Sequence, residues 1–509
     1  MNKKVFSVLK AVAACVLALF MMSGLTACGK VNLLEENIID DKYDNYYEIF
    51  VYSYNDTNGD GYGDLNGVTE KLDYIRDLGY TGIWLMPINN SASYHGYDVV
   101  DYYSVKPIYG TLEDYGKLIE AAHERGIKVI IDLVVNHSSS VHPWFKDALA
   151  YKNGQGGSDK YVDYYNWSSN GRDGYHQSGK VWYESRFDAS MPDLNLANDK
   201  VKAEIENIIK FWLDLGTDGF RLDGCLYYFD SQQLSIDFCK WIKDTAVKYN
   251  DKAYIVGETW SSRSVIADFY QSGCDSFFYF PASYAAGGAD CPISSAITLG
   301  SADEYWPSVK TLISVAGENI PAPFLSNHDI GRAAGYAGRD EDKVKFAYGL
   351  LSMYTGNTFT YYGDEIGMIG SQTDQDKRIG MLWDNKQTNI TNPPPGTQHQ
   401  DYVFDGVKEQ LKDSGSILNY FKVCNNARNA FPALMRGTPS RIAYDDYNIL
   451  VFQKTYKDQT IKIVINFGKD KKTVNGIEGT LAQGICVDGK IKQSGSSLTM
   501  PKYSIAILT

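Results

Sequence analysis

The chain has 509 residues and a formal net charge of −13, and 14% of its residues are aromatic, 39 tyrosines and 9 tryptophans among them. So acidic a surface repels nucleic acid and anionic lipid, which excludes both as charge-driven partners and leaves a neutral ligand as the better fit. The supply of Tyr and Trp exceeds ordinary packing needs and suits stacking on flat, uncharged faces.

Residues 1–27 begin with Lys3 and Lys4, continue through an apolar core and finish on small residues, the layout of an export signal rather than a membrane span. The signal runs into Leu25-Thr26-Ala27-Cys28, which resembles the lipobox of bacterial lipoproteins and makes Cys28 the expected diacylated N-terminus. The protein is then expected to be exported and held on the cell membrane by lipid, facing outside the cytoplasm. An ordinary secretory peptide and an uncleaved signal anchor are the alternatives. Residues 28–45 are polar and acidic and read as a tether.

Roughly 460 residues remain, too many for one small core and suited to a barrel with appended domains. Strand-like runs fall at 48–54, 82–87, 128–136, 218–223, 253–258, 276–280, 323–327 and 358–362. Helical periodicity fills the gaps, as at 68–79 and 112–126, each ending on a glycine. Eight such runs predict an α/β fold, a (β/α)8 TIM barrel spanning 46–137 and 199–424. The stretch 138–198 is rich in Tyr, Gly, Ser and Asp with little periodicity, and reads as a subdomain inserted after the third strand.

From 425 to 509 the pattern changes to alternating strands, YNILVFQKTY, TIKIVINF and ICVDGKIKQ, the last with an Asp488-Gly489 hairpin signal. This predicts a C-terminal antiparallel β-sandwich that covers and stabilises the barrel. Beyond Cys15 and Cys28, the cysteines Cys225, Cys239, Cys274, Cys291, Cys424 and Cys486 lack metal-ligand spacing and read as free buried thiols. A monomer is expected.

Three acidic motifs close strand-like runs: GFRLD (219–223), VGETW (256–260) and FLSNHD (324–329). A parallel barrel gathers residues at the C-terminal ends of its strands, so Asp223, Glu258 and Asp329 are expected in one cleft. Each motif alone is also compatible with a helix cap or a turn. Two carboxylates with a third to tune them are the equipment for cleaving a glycosidic bond. Alternation along a strand puts Arg221 on the same face as Asp223, where a guanidinium favours the nucleophilic anion. Glu258, beside an anion and partly buried, is expected to keep a proton as general acid and later act as base. Asp329 would bond sugar hydroxyls as positive charge develops on the ring.

With DLVVNH (132–137) added, these motifs resemble the α-amylase family of retaining glycoside hydrolases, glycoside hydrolase family 13, over nearly everything after Tyr46. MPDLN (191–195) resembles the group intermediate between oligo-1,6-glucosidases and neopullulanases. The resemblance implies Asp223 as nucleophile, Glu258 as acid/base and Asp329 as transition-state stabiliser. It also implies that His137 and His328 grip hydroxyls, and that Tyr97 stacks under the ring with His95 nearby. Starch and maltooligosaccharides would be the substrates.

Two departures matter. Many members follow the nucleophile with Ala-Ala-Lys-His, where this chain has Gly224-Cys225-Leu226-Tyr227, which leaves product-side binding open. Exo-acting relatives often carry an Asp just before Gly-Tyr-Asp; YHGYD (94–98) lacks it, which favours an open cleft and internal cleavage.

DTNGDGYGD (56–64) sets oxygen donors at Asp56, Asn58, Asp60 and Asp64 with a backbone carbonyl at Tyr62, the start of a calcium loop. Gly67 stands where an EF-hand needs its bidentate Glu, so this is not an EF-hand. The loop is similar to a metal loop after the first barrel strand in oligo-1,6-glucosidase-like relatives, which implies a structural Ca2+. The resemblance adds Asn136 as a second possible ligand.

The sequence therefore predicts an α-1,4-glucan hydrolase acting with retention. A related α-glucosidase, neopullulanase-like enzyme or glucanotransferase shares all of these motifs. A glucan-binding lipoprotein feeding a transporter is the non-enzymatic rival, but it would be expected to lose a catalytic carboxylate, and none is missing.

Overall fold

The computed structural model describes residues 31–283 and 291–509. The expected signal (1–27) and Cys28 lie outside the described residues. Among the described residues no helix is long and apolar enough to cross a membrane.

Seven parallel strands form one curled sheet: β1 (Asn45–Ile49), β2 (Gly82–Leu85), β3 (Lys128–Leu133), β4 (Gly219–Leu222), β5 (Tyr254–Gly257), β6 (Ser276–Phe277) and β7 (Thr358–Tyr361), in the order β6-β5-β4-β3-β2-β1-β7. The gap between β6 and β7 is filled by residues 322–324. Phe278 bridges to Ala322 and Phe324 to Phe359, both in parallel. The ring thus closes with eight chain segments, but the seventh forms only isolated bridges. Pro321 and Pro323 each lack an amide, and a ladder cannot continue through them.

The barrel interior is filled by Tyr46, Trp84, Ile130, Tyr254, Val256, Phe278, Phe324 and Phe359, all buried. Their stacking is direct: the Tyr46 ring lies 4.8 Å from Phe359 and 5.2 Å from Tyr254. The interior is therefore a packed core, and a ligand can bind only at its mouth. Helices cover the outside. One of them, Leu112–Glu124, starts with a reciprocal capping box between Thr111 and Asp114 and ends before Gly126, whose φ of +67° suits the left-handed stop.

Three expected boundaries move. The first strand was expected over 48–54 and lies at Asn45–Ile49, because Val51–Ser53 form a buried 3-10 turn and an apolar run does not separate strand from buried turn. Within the expected tether, residues 34–44 are docked on the body. Leu34 N donates to Asn426 Oδ1 (2.7 Å), and the acidic run finds basic partners in Glu36–Arg76 (2.6 Å), Asp41–Arg436 (2.6 Å) and Asp44–Lys128 (3.0 Å). The sandwich begins at Thr438, not 425, because the helix Ile417–Ala430, capped by Ser416, continues across that point.

The segment after β3 has its own structure, a helix at Pro143–Asn153 and a small antiparallel sheet of Trp167–Ser168, Val181–Glu184 and Tyr175–Ser178. The C-terminal domain packs a five-stranded sheet against a three-stranded one. The Asp488-Gly489 turn does not make the expected hairpin. It carries the chain from Leu481–Cys486 in the larger sheet to Lys492–Ser494 in the smaller. Cys225, Cys239, Cys274, Cys291 and Cys424 are free and buried as expected, while Cys486 is free and only partly buried.

Candidate active site

The mouth of the barrel holds a cleft of about 620 Å³ lined by Tyr97, His95, His137, Asp223, Glu258, Asp329 and Arg378, among others. Asp223 directly follows β4, and Glu258 follows β5, where its amide still bonds Leu222 O (2.9 Å) as an extension of the ladder. Asp329 follows the seventh segment. The three carboxylates expected from sequence are thus brought together.

Arg221 organises two of them from below. Its guanidinium is 1% exposed and reaches Asp223 Oδ1 through Nη1 (2.6 Å) and Glu258 Oε2 through Nη2 (3.1 Å). Nη1 also meets Asp132 Oδ1, which faces Arg221 across the β3–β4 register. Asp132 is held in turn by Trp84 Nε1 (2.8 Å), and burial pushes its carboxyl up to about 6. Gly224 donates its N–H to Glu258 Oε2 (2.8 Å), which fixes the carboxyl's orientation.

Burial pushes Glu258 up to about 7, with the negative charges of Asp223 and Asp329 adding to it and Arg221 opposing. Asp329 is the opposite case. Burial would raise it, but the His328 charge, with Arg378 and Arg221, outweighs burial and holds it well below the usual carboxylate range. The contacts are His328 Nε2 to Asp329 Oδ2 at 3.1 Å and Arg378 Nη2 to Asp329 Oδ1 at 3.4 Å. His328 itself is lowered by burial and raised more strongly by Asp329 and Glu48, ending at about 9. Two carboxyl groups in one cleft thus take opposite protonation states near neutrality, a separation suited to acid–base work.

The other expected contact residues divide. Tyr97 lies in the floor, its ring parallel to His328 at 5.6 Å and its hydroxyl 2.7 Å from His328 Nε2. His95 stacks beside it at 6.0 Å, and burial pushes it down to about 4, so it is neutral. His137 lines the cleft, but its Nε2 lies 3.1 Å from Tyr97 O and is satisfied there. His328 is buried beneath the floor with both nitrogens engaged, Nδ1 by Glu48 at 2.6 Å. Its place beneath the floor is that of a charge partner for Asp329 rather than an open hydroxyl grip.

Sequence reasoning passed over Glu48, Trp84, Asp132 and Arg378. Asp132 opens a quoted motif and shares an alternation face with Ile130 and Val134, which could have flagged it. Arg378 lies in an irregular segment after β7 and carries no periodic signal.

In the loop 56–64, Asp56 accepts the amides of Asn58 (3.2 Å), Gly59 (2.7 Å) and Gly61 (2.8 Å), and Asp60 accepts that of Tyr62 (2.9 Å). Asp64 is committed to the helix Leu65–Glu70, accepting Gly67 N at 2.6 Å. Among the described residues no three His, Cys, Asp or Glu side chains converge as a metal cluster. The loop does fit a hard cation in kind, with oxygen donors at alternate positions and Gly61 turning the chain at a φ of +90°. Asn136 faces Asp193 (3.4 Å), and the cation beside Asp193 is Arg186, which also pairs with Glu184 (2.7 Å).

Residues 48–437 match the family described as Alpha amylase, catalytic domain. The chain is 36% identical over 479 residues to Alpha-amylase 3 of Dictyoglomus thermophilum, covering 91% of this chain and 92% of that one. It is 32% identical over 459 residues to a 4-alpha-glucanotransferase of Thermotoga neapolitana, covering 85% and 97%. Among solved structures, Eubacterium rectale Amy13B superposes with a TM-score of 0.87 at 38% identity, covering 93% of this chain and 96% of that one. With the barrel, the three carboxylates at its mouth and these likenesses in hand, the chain belongs to the α-amylase family of glycoside hydrolases.

Proposed function

We propose that the protein hydrolyses internal α-1,4-glucosidic bonds of starch and maltooligosaccharides with net retention. Asp223 attacks the anomeric carbon, Glu258 protonates the departing oxygen and then deprotonates water, and Asp329 stabilises the oxocarbenium-like state. The observation that carries this reading is the single guanidinium of Arg221 shared by an acid pushed up to about 7 and its partner Asp223. Tyr97 and His95 offer ring faces to the sugar at the cleavage point. Products of soluble starch digestion are the test: short maltooligosaccharides from the native protein and near-complete loss in Glu258→Gln are expected. Glucose alone would replace this reading with an exo-glucosidase, and starch binding without turnover would replace it with a glucan-binding protein.

The exported, lipid-anchored location belongs to the same proposal and rests on Leu25-Thr26-Ala27-Cys28. Fatty-acid labelling is expected in the native chain and absent in Cys28→Ala. A calcium ion held by Asp56, Asn58, Asp60 and the Tyr62 carbonyl, with Asp64 beside it, would brace the loop after β1 and take no part in the chemistry.

A further inference from the structure

The acidic stretch ahead of β1 is built into the body at the end of the barrel opposite the cleft. Lys42 donates to Ala253 O (3.1 Å) and pairs with Asp275 (2.8 Å). Asp44 accepts a hydrogen bond from Thr81 Oγ1 (2.8 Å), pairs with Lys128 (3.0 Å) and donates its amide to Asn357 Oδ1 (3.0 Å). Thr81, Lys128, Ala253, Asp275 and Asn357 stand at the first residue of β2, β3, β5, β6 and β7 or directly before it, so Lys42 and Asp44 brace the starts of these strands. The catalytic acids leave the other ends. Ala253 and Glu258 flank β5, about 16 Å apart at a strand's rise per residue.

Traced back toward the N-terminus, the arm keeps to this end. Asn37 donates its amide to Asn429 O (2.9 Å), Glu36 pairs with Arg76 (2.6 Å), and Leu34 and Asn426 exchange hydrogen bonds at 2.7 and 3.0 Å. Asn426 and Asn429 lie in the last turns of the helix Ile417–Ala430, and Arg76 in the last turn of Leu72–Asp77. Helices of such a barrel run back against their strands, which sets these last turns level with the strand starts.

Val31 and Asn32 then line a groove of about 580 Å³ between that helix and the strand Leu481–Cys486, together with Tyr420, Val423, Ile485 and Ile491. Leu33 and Ile38 are 40 and 47% exposed, so the arm presents apolar side chains outward while Glu36 and Asp41 are paired against the body. Cys28 precedes Val31 by three residues, which at full extension span at most about 10 Å. A lipid on Cys28 therefore brings the bilayer to this groove.

We propose that residues 31–44 form a mount through which the groove and the adjoining C-terminal domain rest on the lipid headgroups, while the catalytic cleft opens away from the membrane. The proposal deepens the lipid-anchor reading and rests on it. Two acyl chains supply the membrane affinity that a net charge of −13 does not. Polymeric glucan then reaches the cleft from solution without crossing the lipid surface.

Hydrogen exchange on the full-length lipidated protein bound to phosphatidylcholine vesicles is the test, with Cys28→Ala mixed with the same vesicles as the lipid-free reference. Amides in 31–38 and 481–491 should exchange about tenfold more slowly on the vesicles, and those of the inserted subdomain, which carries Phe187 and Met191 at the cleft, should be unchanged. Slowing at the subdomain, or no local slowing in protein that carries fatty acid and sediments with the vesicles, would overturn the mount alone. Absence of fatty acid on the native chain would sink the anchor reading and the mount with it. Inserting about 20 Gly/Ser residues after Gly29 adds roughly 25 Å of reach and leaves Cys28 and the docked arm unaltered. The slowing should then vanish while the fatty-acid label remains; its persistence would overturn the mount by showing that the short connection is not what seats this surface.

Discussion

If Glu258 is the proton donor, its ionisation sets the alkaline limb of activity. At about 7 it is an acid whose usable fraction changes across the neutral range. About ten parts in eleven carry the proton at pH 6 and about one part in eleven at pH 8, so kcat/KM on maltopentaose should fall about tenfold between them. The perturbation that isolates this cause is the leaving group. With α-maltosyl fluoride, which departs without protonation, the limb arising from glycosylation should vanish, and Glu258→Gln should recover much of the glycosylation rate lost on the natural bond. Initial rates from pH 5 to 9 with both donors are the assay. A flat profile between pH 6 and 8 on maltopentaose, or an identical limb with the fluoride, would refute the assignment of Glu258 as the acid.

Other outcomes follow from the same contacts. His328 is raised to about 9 from an unfolded value near 6.5, so its contribution to stability is full below about pH 6.5 and is lost as pH rises through 9. The native Tm should decline over that window more steeply than that of His328→Asn, and parallel curves would count against the buried pair. Arg428 is fully buried and donates to Ser352 O (2.8 Å), Tyr354 O (2.9 Å) and Gly356 O (2.5 Å). Arg428→Met strips these carbonyls of their donor and should cost at least about 3 kcal/mol, read from the urea midpoint. Chelation by EDTA should lower Tm and added Ca2+ restore it, with neither response in Asp56→Ala; a native protein indifferent to both would remove calcium from the account.

Much of the architecture was legible because a barrel repeats one signal. Period-two apolar runs alternate with period-3.6 stretches, and strands from Lys128, Gly219, Tyr254 and Thr358 fall where that alternation puts them. The meeting of the three carboxylates was legible for the same reason, since Asp223 and Glu258 each follow a strand and Asp329 follows the segment that closes the ring. At the seventh segment the apolar pattern suggests a strand, but Pro321 and Pro323 leave only bridges. The sandwich starts later than the pattern suggests because the helix Ile417–Ala430 ends in polar and small residues that resemble a linker. What could not be read was contact between distant segments. Nothing near Arg378 in sequence announces Asp329, and nothing in Phe187 announces the Tyr227 ring it meets. Both pairs exist only because loops from different strands meet at one rim.

The two nitrogens of Arg221 have a consequence for how charge travels during turnover. In the proposed cycle Asp223, at Nη1, attacks as the anion while Glu258, at Nη2, still holds its proton. Once the proposed ester forms, Asp223 would be neutral and Glu258 would have given up its proton, so the anion would sit beneath Nη2. One negative charge has moved from one end of a fixed guanidinium to the other, and the total has not changed. No buried counter-ion has to rotate and no water has to enter to rebalance the site. A rigid, fully desolvated cation can therefore serve both halves of the cycle equally, with the dipoles around it already set for each.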